Sequence, residues 1–440
     1  MLMIENIKAK IIPKKIICFI IMINPVVEII YSILYRLNFN LPINQFFRIV
    51  GFLIFLAFIK KKKTRKILVL VGGIYGLIWI LQIVAGLSIV SFRECVFIVK
   101  IIYTTSLIFV FQDFIECNTV ETESLIKATM VSIVIIIVSV CVSPLGLGYE
   151  AWKDNDYRTG YVGLFLFSNY LTVVLLIAAG LMFSSKVIEY KKKAVFTCFI
   201  FMALILLGNK AGLVGALIYT VGLGLWQVCM ILKGKKKKLL VMIMLITVLV
   251  IFAGIIFMRK YVENQIQLYK AYKYTNIWSF LLSNRDLQIS YIKKYVTEMH
   301  YNKYLSLFVG YGYTNINTAM KSKWTWMNFI EMDFYALRYY LGCIPVLIWT
   351  YIDTKLVYTS IKRVYKMRDI HSFSLCIGIL IAIFHSLFTG HVIFESLTIM
   401  YFAILGAIIL CSNTKQAHSN LLEDRTLERG ANENNNANAL

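Results

Sequence analysis

The chain has 440 residues, of which 59% are hydrophobic and only 16% are charged, and its formal net charge is +23. Soluble globular chains carry about 25% charged residues, whereas repeated apolar runs of about 20 residues identify a polytopic α-helical membrane protein. Outer-membrane barrels would show short alternating segments, which the sequence lacks. The Lys and Arg residues lie mostly in short runs such as 60–63 and 235–238, so they indicate membrane topology rather than nucleic-acid binding.

About twelve apolar segments are predicted to span the membrane within a single all-α domain over residues 1–411. They lie at 16–35, 42–59, 67–90, 94–112, 126–148, 161–183, 194–208, 211–232, 239–258, 332–352, 372–389 and 391–411. A tight turn at Gly208-Asn209-Lys210 is predicted to separate spans seven and eight. Positive charge in alternate connectors predicts a plasma-membrane protein with both termini cytoplasmic. Residues 412–440 are predicted to form a disordered cytoplasmic tail.

A polar segment at 259–331, between spans nine and ten, is predicted to be one large extracytoplasmic loop. Connections in compact domains usually have a few residues, so a loop this long is expected to be functional or to form a small domain. Five aromatic residues in it are candidates for stacking on sugar rings or for lying at the lipid interface. They are Trp278, Tyr311, Tyr313, Trp324 and Trp326.

Nine cysteines occur, and none has a CxxC or His-paired spacing. Most lie in or beside apolar runs, where Cys acts as a small hydrophobic residue. The sequence predicts neither a disulfide nor a metal site.

Ionisable residues inside spans are costly, so each one needs a structural or functional explanation. They are Glu28, Arg48, Lys100, Arg338 and His385. The first four are predicted to lie in the outer half of the membrane. Arg48 and Lys100 could snorkel to the interface, or the group could belong to one functional site.

Two pairs are predicted to share a helical face. Glu331 and Arg338 are seven positions apart in span ten, which predicts a buried ion pair or one wall of an outward-facing polar cavity. His391 and Glu395 are four apart at the start of span twelve, after Gly390, which predicts an interfacial pair or a proton-transfer unit.

Three further cations are predicted on the outer side. Arg158 lies in the connector before span six, Lys210 in the turn between spans seven and eight, and Arg285 in the long loop. Each alone reads as a solvated surface charge. Together they would line a positive cavity suited to a phosphate-bearing substrate.

Four stretches, in this order, resemble the O-antigen polymerase and O-antigen ligase superfamily, the Wzy-type proteins of surface polysaccharide assembly. They are Arg158-Thr159-Gly160 with Phe167-Ser168-Asn169, Gly208-Asn209-Lys210-Ala211-Gly212-Leu213, Phe308-Val309-Gly310-Tyr311-Gly312, and Glu331-Met332-Asp333-Phe334. The first resembles the family's Arg, Gly and Asn segment, the second its tight turn, and the third the glycine motif of its external loop. The fourth stands where ligases carry a His-Asn-x-Tyr-Leu motif. Because Glu331 replaces the ligase His, the pattern looks more like capsular or exopolysaccharide polymerases.

The resemblance implies a metal-independent glycosyltransferase that needs no cofactor. It would join polyprenyl-diphosphate-linked oligosaccharide repeat units outside the plasma membrane. Arg158 and Arg285, with Lys210 as a weaker candidate and Arg338 in the cavity wall, are expected to bind the substrate. Glu331 is expected to be the base, with Asp333 orienting it or binding sugar hydroxyls, and His391 is the second choice of base.

The partners that the resemblance implies are the lipid-linked oligosaccharide, membrane lipid, and a chain-length regulator and flippase of the same pathway. Two alternatives stay open: a ligase of the same superfamily, and a flippase or secondary transporter of lipid-linked oligosaccharide. Transporters commonly have repeated halves. The sequence shows no repeat, which favours the enzyme.

Overall fold

A computed structural model describes most of the apolar part of the chain and part of the long polar segment. The described residues are 2–39, 41–151, 160–232, 263, 266–267, 269–270, 279–280, 282–299, 303–323 and 329–411. Predicted span nine, Arg158 and the predicted tail at 412–440 lie outside them.

The part of the chain before the long polar segment is almost entirely helical where it is described. Its helices are α1 (Leu2–Arg36), α2 (Ile43–Ala57), α3 (Lys62–Val84), α4 (Phe92–Glu116), α5 (Thr122–Cys141), α6 (Ser168–Ser184), α7 (Tyr190–Leu207) and α8 (Lys210–Leu232). Between α5 and α6, a 3-10 turn at Ser143–Leu145 precedes two short antiparallel strands, β1 (Tyr149–Glu150) and β2 (Tyr161–Gly163).

The second part of the chain continues with shorter helices and then three long ones. They are α9 (Arg285–Glu298), α10 (Lys303–Val309), α11 (Tyr313–Lys323), α12 (Asp333–Leu341), α13 (Cys343–Met367), α14 (Ile370–Phe388) and α15 (Ser396–Cys411). Helices α9, α10 and α11 belong to the predicted loop at 259–331. The described part of that loop is therefore folded.

Five described helices are long and apolar enough to cross a membrane by length and composition, and four shorter apolar helices accompany them. The five are Ile11–Arg36, Lys62–Val84, Phe92–Glu116, Thr122–Leu145 and Ile370–Phe388. This content indicates a helical membrane protein. The total of twelve spans stays a prediction.

Helix α6 lies at the centre of the bundle, with nearly all of its side chains buried, and it packs against α5, α7, α8 and α14. Its closest neighbour is α14, where a Cβ on Gly180 would lie only 3.2 Å from the Cα of Gly378. Ser374 of α14 also donates a hydrogen bond of 3.0 Å to the Gly180 carbonyl. Small residues and interhelical hydrogen bonds of this kind stabilise helix contacts in membranes.

The predicted turn between spans seven and eight is confirmed. Helix α7 ends at Leu207, Gly208 has φ 67°, and α8 begins at Lys210. Asn209 is buried and bonds back to α6, accepting from Ser168 at 3.1 Å and donating to Thr172 at 2.9 Å.

The predicted start of span six at residue 161 is wrong, because 161–163 form β2 and the helix begins only at Ser168. Gly163 has φ 67° and lies against Ser139 of α5, so a side chain there would overlap that residue. Residues 164–167 connect β2 to the start of α6.

Span ten is not the single helix that was predicted over 332–352. Gly342, with φ 86°, separates α12 from α13. A Cβ at Gly342 would overlap the carbonyl oxygen of Phe308 in α10, so the break allows the loop helices to pack against the bundle. Pro345 follows in the first turn of α13, where proline is tolerated.

The predicted start of span twelve at residue 391 is also wrong, since α15 begins at Ser396. Gly390 has φ 72° and His391 has φ 68°, which excludes a right-handed helix at these positions. His391 and Glu395 therefore do not share a helical face, although the two side chains are close in space.

Candidate functional site

The loop helices are fixed to α3 and α4 by two buried polar side chains. Glu94, which is 1% exposed, accepts hydrogen bonds from the backbone N–H groups of Tyr313 at 2.8 Å and Thr314 at 3.1 Å. These are the first N–H groups of α11, so the carboxylate caps the positive end of that helix. Gln82 donates to the carbonyl oxygens of Val309 and Tyr340, which ties α10 and α12 to α3.

Asp333 fixes the backbone that follows α14. It is 1% exposed and accepts hydrogen bonds from the N–H groups of His391 at 3.0 Å, Val392 at 2.9 Å and Ile393 at 3.1 Å. Ser386 adds a fourth at 2.9 Å. These four hydrogen bonds hold the buried carboxylate against the turn that follows α14. Asp333 therefore determines where His391 lies.

Gly390 lies directly against Glu331 at the other side of this turn. A Cβ at Gly390 would overlap the carbonyl oxygen of Glu331. His385 stabilises the same turn, since its Nδ1 lies 2.8 Å from the Gly390 carbonyl oxygen. The turn therefore brings the candidate base Glu331 and the second candidate base His391 to one place.

Glu331 forms an ion pair with Arg285, not with Arg338 as one sequence interpretation had it. The Nε of Arg285 lies 2.6 Å from Oε2 of Glu331, and the two side chains are 7% and 21% exposed. Glu331 precedes α12, which begins at Asp333, so Glu331 and Arg338 do not share a helical face. The N–H of Glu331 donates to Gln288 of α9 at 3.3 Å.

The two ring nitrogens of His391 have different surroundings: Nδ1 faces a carboxylate, and Nε2 has no hydrogen-bond partner among the described residues. Its Nδ1 lies 4.0 Å from Oε1 of Glu395. Its Nε2 is buried and makes no hydrogen bond with the described part of the protein. Phe329 packs perpendicular to the imidazole, with ring centroids 5.8 Å apart.

A cavity of about 300 Å³ lies at this turn, between α2, α4, the loop helices and the segment before α15. Its wall contains the three predicted catalytic residues, Glu331, Asp333 and His391. The other lining residues are Gln45, Phe92, Arg93, Val96, Phe97, Lys100, Tyr313, Phe329, Ile330, Tyr340, Phe394 and Glu395.

Two cations of α4 line the cavity, and both lack a hydrogen-bonding partner in the described part of the chain. Arg93 and Lys100 are seven positions apart, so they lie on one helical face about 10 Å apart along the axis. Glu395 in the same wall attracts Lys100 electrostatically. Arg93 was not among the sequence candidates, although its spacing from Lys100 was a signal that could have identified it.

Aromatic rings form the apolar part of the wall. Phe97 stacks on Tyr313 with ring centroids 4.2 Å apart and planes inclined by 9°, and Phe394 stacks on the same Phe97 at 5.8 Å. Burial, and to a smaller extent the charge of Glu94, raises the pKa of Tyr313, so the phenol stays protonated and able to donate.

A second ion pair lies next to the cavity wall. Arg48 of α2 lies 2.5 Å from Glu28 of α1, and the side chains are 11% and 10% exposed. Ser396, the first residue of α15, donates to the same carboxylate at 3.3 Å. Arg48 therefore pairs inside the bundle and does not snorkel. Glu28 joins α1, α2 and α15.

The other predicted substrate-binding residues do not line the cavity in the part of the chain that the structure describes. Lys210 donates to the carbonyl oxygen of Phe280 at 2.9 Å and its ammonium lies over the Phe280 ring. Arg338 donates to the carbonyl oxygen of Ser306 at 3.2 Å. Arg158 is outside the described residues. Two positions later, a Cβ at Gly160 would overlap the carbonyl oxygen of Leu207 at the α7–α8 turn.

Comparison with models of protein families gives no match, and neither does comparison with curated proteins.

Proposed function

We propose that the protein is a polysaccharide polymerase. It joins polyprenyl-diphosphate-linked oligosaccharide repeat units by glycosyl transfer at the outer face of the plasma membrane. The observation that carries the proposal is the cavity beside α4, where a histidine, three carboxylates and two cations that lack hydrogen-bonding partners among the described residues line one space. The family resemblance of the sequence motifs supports the same activity.

Glycosyl transfer from a lipid diphosphate requires two kinds of group. Developing negative charge on the departing diphosphate must be stabilised by preorganised cations, and the acceptor hydroxyl must lose its proton to a base. Arg93 and Lys100 supply the cations. Arg285 offsets the charge of Glu331, and Asp333 is held by four hydrogen bonds to the turn and to Ser386.

The surroundings of the cavity suit a substrate with a lipid tail. Phe92 of α4 lines the cavity and is 77% exposed, and Phe46 of α2, next to the lining residue Gln45, is 70% exposed. Exposed apolar side chains on helices of a membrane protein contact lipid. A diphosphate on Arg93 and Lys100 could thus extend its polyprenyl chain into the bilayer between α2 and α4.

The test is the chain-length distribution of surface polysaccharide in cells that lack this protein. Long polymer should disappear while single lipid-linked units are still made and accumulate. An expressed copy of the wild-type chain should restore it. Normal polymer length in the deletion strain would contradict the proposal. If finished polymer of normal length stays on its lipid carrier in the deletion strain and is no longer transferred to its acceptor, the protein is a ligase.

A transporter of lipid-linked oligosaccharide is the second candidate, favoured by the breaks at Gly342 and at 390–395. Transporters commonly place substrate sites where membrane helices are interrupted. The two candidates differ in product. A transporter moves single units across a proteoliposome membrane without forming glycosidic bonds, whereas a polymerase releases polyprenyl diphosphate with every bond that it forms.

A further inference from the structure

Glu331 and Asp333, two of the three carboxylates in the cavity wall, are already engaged by other groups of the protein. Glu331 is held in an ion pair with Arg285 at 2.6 Å, so this carboxylate already has a cationic partner within the protein. Asp333 accepts four hydrogen bonds, three of them from consecutive backbone N–H groups. Taking up a proton would cost Asp333 part of that network.

His391 differs from both carboxylates, because its Nε2 atom makes no hydrogen bond with the described residues. It is 5% exposed and lines the cavity, and its Nε2 has no hydrogen-bond partner among the described residues. Buried polar atoms in native structures almost always have a partner, and an exception calls for an explanation. A substrate hydroxyl that binds at this nitrogen would provide one.

The groups around His391 favour a lone pair on Nε2. In a neutral imidazole one nitrogen donates and the other accepts. Glu395 lies 4.0 Å from Nδ1, so a proton on Nδ1 faces the carboxylate and leaves the lone pair on Nε2. The same carboxylate would stabilise the imidazolium that forms when Nε2 takes a proton.

The backbone at this position is held in a strained conformation. His391 has φ 68°, which costs a residue with a side chain about 1–2 kcal/mol. The turn is kept there by Asp333, which binds the N–H of His391, and by Gly390, which lies against Glu331. Strain of this kind is typical of functional positions.

We propose that His391 is the catalytic base and that it accepts the proton at Nε2; this inference rests on the proposed function. Asp333 and Glu395 are its positioning residues. In the step, the acceptor hydroxyl gives its proton to Nε2 while its oxygen bonds to the anomeric carbon of the donor. The bond from that carbon to the diphosphate oxygen breaks, and its electron pair leaves with the diphosphate, next to Arg93 and Lys100. Glu331, with Arg285, shapes the wall of the site.

The test uses purified full-length protein in proteoliposomes with polyprenyl-diphosphate-linked repeat units as donor and acceptor. His391→Asn is the main variant, because Asn tolerates positive φ better than most residues and lacks a basic nitrogen. Its kcat should fall by about 100-fold or more with KM nearly unchanged, as expected for loss of a general base. The matched control is His371→Asn, since His371 lies away from the cavity and bonds to the Phe183 carbonyl. The control should keep wild-type kcat.

A second variant separates proton transfer from folding. His391→Gly keeps a residue that adopts positive φ without strain and leaves room for a small molecule. Added imidazole should restore activity to His391→Gly and should not affect His391→Asn or the wild type.

The outcomes distinguish this inference from the proposed function. Wild-type kcat in His391→Asn would overturn the assignment of the base, and so would loss of activity in His391→Gly without rescue by imidazole. Absence of glycosidic bond formation by the wild-type protein would instead overturn the proposed function.

Discussion

Asp333 is in the candidate site, yet its contacts are those of a structural anchor. Its two carboxylate oxygens hold three consecutive N–H groups at 391–393 and the hydroxyl of Ser386. The family resemblance implied that Asp333 orients a base or binds sugar hydroxyls. In the structure, Asp333 positions His391 through the backbone N–H of that residue. A role of Asp333 toward the sugar stays a prediction.

Replacing Asp333 with Asn should therefore lower both stability and turnover. The amide brings an NH₂ group toward backbone donors, so at least one N–H loses its acceptor, at a cost of about 2–4 kcal/mol for a buried charged network. Thermal unfolding in detergent measures the loss. Glu189→Gln is the control, because the Glu189 side chain is 69% exposed and forms only a surface ion pair. Equal unfolding temperatures for both variants would contradict the anchoring role.

Arg93 and Lys100 are expected to act on the diphosphate. Arg93→Ala and Lys100→Ala should each lower kcat/KM for the lipid-linked donor by about 100-fold to 1000-fold, the range seen when one group that stabilises developing charge is removed. Lys192→Ala removes a cation whose side chain is 72% exposed, and it should retain wild-type kcat/KM. The proposed contacts would be wrong if the α4 variants matched Lys192→Ala in the proteoliposome assay.

At the scale of elements, local sequence predicted helices well and their interruptions poorly. The α7–α8 turn was predictable because Gly208 stands between two apolar runs. The break at Gly342 was not, because apolar residues continue on both sides and its cause is the distant carbonyl of Phe308. The same holds at His391, whose backbone is fixed by Asp333, 58 residues earlier.

The contact between Gly342 and Phe308 can be tested by a pair of Gly→Ala substitutions. Gly342→Ala should destabilise the protein by at least about 2 kcal/mol, since it adds backbone strain at φ 86° and a steric overlap. Gly72→Ala, in the middle of α3 where a Cβ meets nothing within 4 Å, should be neutral or should stabilise by up to about 1 kcal/mol. If Gly342→Ala and Gly72→Ala changed the unfolding temperature in the same direction, this explanation of the helix break would be wrong.

At the scale of the whole molecule, alternate connectors meet each other, as a multi-span topology requires. Lys14 pairs with Glu121 at 3.1 Å, and Lys61 pairs with Glu116. Asp113 accepts from the N–H groups of Lys60 and Lys61 at 3.0 and 2.9 Å. Acidic residues in the last turn of α4 and in the α4–α5 connector thus meet basic residues of the N-terminal segment and of the α2–α3 connector.

The loop helices meet the other end of α3 and α4, at Gln82 and Glu94. The topology therefore predicts that Lys321 of α11 faces the outside and that Lys192 faces the cytoplasm. In a cysteine-free background, a membrane-impermeant maleimide should label Lys321→Cys in intact cells, and should label Lys192→Cys only after permeabilisation. The reverse pattern would invert the orientation and move the cavity to the cytoplasmic face.

Sequence motifs identified three of the residues in the cavity wall, Glu331, Asp333 and His391, because each stands beside a predicted span. They did not identify the pairing of Arg285 with Glu331 or the part played by Arg93. Those contacts join segments that are distant in the chain, and their geometry depends on how α9 and α4 pack against the turn after α14.

The predicted roles of Lys210, Arg338 and Arg158 stay predictions. The side chains of Lys210 and Arg338 bind backbone carbonyls instead of lining the cavity.

The most direct test of the proposed polymerase is product formation by the purified protein in proteoliposomes with lipid-linked repeat units and a metal chelator. We predict a ladder of lengthening glycans, with one polyprenyl diphosphate released per glycosidic bond and a rate that the chelator does not change. Single units that cross the membrane without bond formation, or a ladder that forms only when a divalent metal is returned, would contradict it.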